Sequence, residues 1–133
     1  MKRITIYCLG LLAAALLAAP MVAQTPDEQE KKLYNWVQGE VDRYETTLDL
    51  EYWQVFYVDS ILTHNYGELN RELTQLSRAK VSNSDIFIQT QDKWEECTYE
   101  AFHKVLNDEQ WEKYLKTGAA RDKMARDKRA AKK

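Results

Sequence analysis

The sequence predicts an all-α fold, a bent hairpin of about four helices, on three observations. Apolar residues between Leu48 and Lys80 recur at helical intervals: Leu62, Tyr66, Leu69, Leu73 and Leu76 step by four and three along one stripe. The only two prolines, Pro20 and Pro26, precede every later helical segment. No stretch alternates apolar and polar residues as a half-buried strand would. Read as one helix, the stretch from Leu48 to Lys80 would span ~50 Å at ~1.5 Å per residue. A helix of that length needs other helices against its stripe.

The chain opens with Lys2 and Arg3, an apolar run from Ile4 to Ala19, then Pro20 and small residues. This is the layout of a secretory signal peptide over residues 1–23, with cleavage near Ala23 or Gln24. The apolar run is short for a spanning helix, which needs about 20 such residues. The expected protein is therefore exported, and its folded part is a single helical domain over residues 24–117. Cys8 leaves with the signal, so Cys97 alone remains and packing must supply the stability.

Thr25-Pro26-Asp27-Glu28 reads as the start of a first helix, with Thr25 as cap and Pro26 at the first helical position. Its apolar stripe is Leu33, Trp36, Val37, Val41, Tyr44 and Leu48. Thr46 to Asp49 then offers a corner and a new cap before the long helix. Ser82-Asn83-Ser84-Asp85 is a polar turn. A third helix runs from it to about Leu106, with Phe87, Trp94, Cys97, Ala101, Phe102 and Val105 inward. Asn107 opens a fourth helix carrying Trp111, Tyr114 and Leu115, and Gly118 is its expected stop.

Charge is uneven. From Lys116 onward there are eight basic residues against Asp122 and Asp127, whereas residues 27–115 hold nine basic and nineteen acidic residues, net −10. Residues 118–133 have few apolar side chains and read as a basic tail, a frayed helix or disordered. Its cations Arg121, Lys123, Arg126, Lys128, Arg129, Lys132 and Lys133 suit an anionic membrane or envelope surface. An exported chain meets no nucleic acid there.

Leu106-Asn107-Asp108-Glu109-Gln110 resembles the LTxxQ signature of the Spy/CpxP family of small periplasmic helical proteins. Asn107 can cap the next turn and Gln110 can reach back to the cap backbone. A second corner is read at Leu48-Asp49, with Tyr52 where glutamine is expected. A match shifted to Leu50–Gln54 recovers the glutamine and places Glu51 at the cap. The resemblance implies a bent hairpin that forms a homodimeric cradle. It also implies an ATP-independent chaperone or envelope-stress protein that binds unfolded polypeptides or envelope proteins. Where family cradles are basic, this body is acidic.

Other chemistry finds little footing. Two histidines, the one cysteine left after the signal, and scattered serines form no nucleophile–base pair, so the chain reads as a non-enzyme without a cofactor. Glu100 and His103 spell an ExxH, and His64 and Glu68 line a comparable face of the long helix. These four are weak zinc candidates, since Glu and His at helical spacing are ordinarily a solvated face. Tyr52, Trp53, Phe56 and Tyr57 surround the start of the long helix. Core is the default for such bulk in a small domain, and a client or dimer surface is the alternative.

Overall fold

The computed structural model describes residues 25–132. Among them are five α-helices and no strand: α1 (Pro26–Leu48), α2 (Tyr52–Arg78), α3 (Ser84–Val105), α4 (Asp108–Tyr114) and α5 (Ala120–Ala131). A π-type turn, Leu115–Ala119, joins α4 to α5. The expected signal peptide and Lys133 lie outside the described residues.

The start of α1 is as the sequence predicts: the Thr25 hydroxyl accepts from the Glu28 amide at 3.4 Å, and Pro26 leads the first turn. Its buried stripe is Val37, Val41 and Leu48, while Trp36 remains 44 % exposed and rests on Tyr66 with ring centroids 4.6 Å apart. α1 and α3 both pack against α2, and α2 and α3 form the antiparallel hairpin. At its tip Asn83 accepts from the Asp85 amide at 2.9 Å and caps α3.

The core gathers at the end of the hairpin away from this tip. Val37, Val41 and Leu48 meet Val58 and Leu62 of α2, Phe102 of α3, Leu106 and Tyr114. Phe102 is fully buried between Tyr44, at 5.3 Å edge to face, and Tyr114, at 5.1 Å. Toward the tip the stripe thins: Leu73, Leu76 and Phe87 are half-buried, and Ile86 and Ile88 are exposed.

Two expectations are overturned here. Cys97, read as inward, is exposed. The register of α3 is set by Phe102 and by Thr98 one turn before it, both buried, and Cys97 lies about 100° round from Thr98. The tail, read as a frayed helix or disordered, is helical but not frayed: it is α5, folded back along α3. Lys123 lies 2.7 Å from Glu96, Arg126 Nε 3.1 Å from Glu96, and Arg129 2.7 Å from Asp92. Apolar content alone suggested too little to order this segment. Cations three apart on one face of α5 match acids three and four apart on α3, and that match supplies what apolar burial does not. Gly118 is the expected stop: at φ 108° it leaves the helical region, and the kink it makes between two helices lets α5 turn back.

Candidate functional site

Two helix corners, α1 to α2 and α3 to α4, lie side by side and lock through their glutamines. At the second corner the side chain of Asn107 accepts from the Gln110 amide at 2.9 Å, and Gln110 Oε1 accepts from the Asn107 amide at 3.0 Å. That is the reciprocal capping box read from the sequence. At the first corner the cap is Glu51, whose amide donates to Gln54 Oε1 at 2.9 Å. The shifted Leu50–Gln54 match is therefore the structural equivalent. Asp49, read as a cap, instead closes α1 in the left-handed region at φ 52°, a conformation aspartate tolerates. Leu48 does plug the corner, with no exposed surface.

The corners then join. Gln54 Nε2 donates to Gln110 Oε1 at 2.7 Å and to the Val105 carbonyl at 3.1 Å. Gln110 Nε2 donates to Gln54 Oε1 at 2.8 Å and to the Asp49 carbonyl at 3.3 Å. Each amide thus satisfies its own cap, its twin and the last carbonyls of the opposite helix pair. Both side chains are buried, where an unmatched amide would be costly. Gln110 is only 6 % exposed because its twin covers it.

The paired corners fix the start of α2, and this presents the aromatic residues outward. Tyr52 is 93 % exposed, Phe56 66 %, Trp53 50 % and Tyr57 50 %. The core reading of this cluster is thereby overturned. Gln54 and Val58, four apart, take the buried side of α2, so Phe56 between them faces the opposite way. Trp53 and Tyr57 meet edge to face at 6.0 Å, as do Phe56 and Tyr57 at 5.7 Å. The Trp53 indole N–H donates to the Glu51 carboxylate, tying the aromatic face to the cap.

The remaining candidate residues are dispersed. His64 packs edge-on against Trp94, Glu68 pairs with Arg71 at 2.6 Å, and His103 stacks on Trp111 at 4.0 Å. Glu100 is exposed. No group of three His, Cys, Asp or Glu side chains converges among the described residues. In the tail, Lys123, Arg126 and Arg129 are turned inward onto α3, and Arg121 pairs with Asp122. Lys128 and Lys132 stay exposed without an ion pair among the described residues. Two polar pairings were missed in the sequence. Asn65 donates to Thr98 at 3.0 Å across the hairpin, and Arg126 is buried. The step of three from Leu62 to Asn65, and of four on to Leu69, was the available signal for the first.

No family model, curated protein or solved structure matches this chain.

Proposed function

We propose that the chain is an exported, ATP-independent, chaperone-like protein of LTxxQ type that holds unfolded polypeptides on its Tyr52–Trp53–Phe56–Tyr57 face. The observation that carries this reading is the exposure of four large aromatic side chains on one rigid helix start. Contiguous apolar patches on a soluble protein commonly mark interaction sites. Tyr and Trp, with few rotatable bonds, contribute contact area at low entropic cost. The glutamine-locked corners add support, because they are the element that the LTxxQ resemblance singles out. Docking through the tail is the weaker reading, since half of its described cations already face α3.

The test is suppression of aggregation of a denatured client by the full chain without nucleotide. Trp53→Ser with Phe56→Ser should abolish suppression and leave the melting curve unchanged. Absence of suppression by the parent protein across several clients would remove the reading. A mass that halves in the variant would assign the face to a second copy of the chain instead.

A further inference from the structure

The exposed aromatic face of α2 is set among carboxylates that few cations answer. Between Arg43 and Arg71 the chain holds no Lys or Arg, and those two arginines are each paired with a carboxylate of their own helix, Glu40 and Glu68, at 2.6 Å. Three acids stand within three residues of a ring of the face. Glu51 accepts from the Trp53 indole N–H, a neutral partner. Asp59, one turn on from Phe56, accepts from two more neutral groups, the Thr63 hydroxyl at 3.0 Å and the Gln38 amide at 3.2 Å. Asp49, just before Tyr52, reaches Lys113 at 3.1 Å, but Glu109 shares the same ammonium at 3.3 Å. Lys113 is the only cation that an ion pair ties to this corner among the described residues. Four carboxylates against one ammonium leave a net charge of −3 beside the rings.

Elsewhere in the molecule the same two ingredients, a ring and a carboxylate, come with an arginine. Arg43 lies 4.4 Å over the Tyr44 ring while it is bonded to Glu40. Arg126 lies 5.6 Å from the Tyr99 ring centre while it is bonded to Glu96. On the outer face of α2 the rings and the acids are present and no arginine joins them. A purely apolar client segment would cover the rings and strip water from the acids beside them, at a cost. An acidic segment would meet like charge. A segment with arginine beside its apolar residues answers both features, because a guanidinium stacks on aromatic faces and pairs with carboxylates. We propose that the Tyr52–Trp53–Phe56–Tyr57 face selects cationic, arginine-bearing unfolded segments and turns acidic ones away. The rings supply contact area, and the surrounding charges set specificity and encounter rate. The inference rests on the reading of this face as the client surface and adds which clients it takes.

Three short peptides carrying a neutral dye test it, by fluorescence anisotropy with the full chain. They share phenylalanine and leucine at the same places and carry arginine, glutamine or glutamate at the others. The arginine peptide should bind at least about tenfold more tightly than the glutamine peptide, and the glutamate peptide more weakly still. Asp49→Asn, Glu51→Gln and Asp59→Asn together, which keep size and an accepting oxygen, should bring the arginine and glutamine peptides within about twofold of each other. At ~1 M salt, where screening shortens to ~3 Å, the parent protein should lose the preference in the same way, and this arm decides should the triple variant fail to fold. Trp53→Ser with Phe56→Ser should release the arginine peptide. Equal affinity for all three peptides would overturn the inference and leave the client face standing. Binding of none of them would remove the client face and the inference with it. An arginine preference that survives either set of substitutions, or the high salt, would belong to other groups of the body and would overturn the inference too.

Discussion

The side-chain amides of Gln54 and Gln110 lie head to tail, each donating to the other's oxygen at 2.7 and 2.8 Å. They sit 56 residues apart in the chain yet occupy equivalent places in two capping boxes. A capping box ordinarily stabilises one helix start. Here each glutamine also closes the other corner, so the two helix starts are one cooperative unit.

Gln110→Ala is expected to destabilise by ~1–3 kcal/mol, because it leaves Gln54 and the Asn107 amide with unmade bonds in a buried place. Gln54→Ala should act similarly, and the double variant should cost clearly less than the sum. Asn107→Ala, which removes only a partly buried cap, should cost ~1 kcal/mol. Urea midpoints measure all four. Strict additivity of the two glutamine variants would mean that the amides act independently.

Phe56 and Phe102 make the opposite contrast, one 66 % exposed and the other fully buried. Phe102→Ala should cost ~3–5 kcal/mol by transfer and cavity terms. Phe56→Ala should change the melting temperature little. Equal destabilisation by both would put the aromatic face of α2 in a covered interface.

The helices, their caps and the Leu62–Leu76 stripe were legible because they follow from local spacing. So were Thr25, Asn107 and Gln110, whose partners lie within three residues. The orientation of α2 was less so. Its first two turns carry apolar residues nearly all round, and Gln54, a polar residue, marks the inward side. Nothing in local sequence reveals that Gln110, 56 residues further along the chain, lies against it. The tail failed for a related reason: Lys123, Arg126 and Arg129 acquire meaning only beside Asp92, Glu95 and Glu96, which α5 meets by turning back at Gly118.

That docking should respond to salt. Among the described tail residues only Arg126 is buried, and Met124 is 61 % exposed, so α5 is held chiefly by charge and by the stems of long side chains. Raising the ionic strength to ~1 M shortens screening to ~3 Å. Amide exchange in α5 should then accelerate while α1 to α3 keep their protection. Unaltered exchange in α5 would show that packing of Arg126 on Tyr99, at 5.6 Å, dominates over the ion pairs.

Alkaline pH should act on the tyrosines around the same contact. Burial pushes Tyr66 from 10.0 up to about 12, and raises Tyr44 and Tyr114 for the same reason, with Arg126 partly opposing at Tyr66 and Tyr114. The folded state thus keeps these phenolic protons more tightly than the unfolded chain does. The stability this represents is complete below the unfolded value near 10 and is lost as pH rises through the folded value near 12. Tyrosinate absorbance from Tyr44, Tyr66 and Tyr114 should therefore appear only together with loss of helix. Tyr66→Phe should reduce the alkaline loss of stability. A single absorbance transition, complete before any helix is lost, would mean that these hydroxyls are already open to solvent in the folded protein.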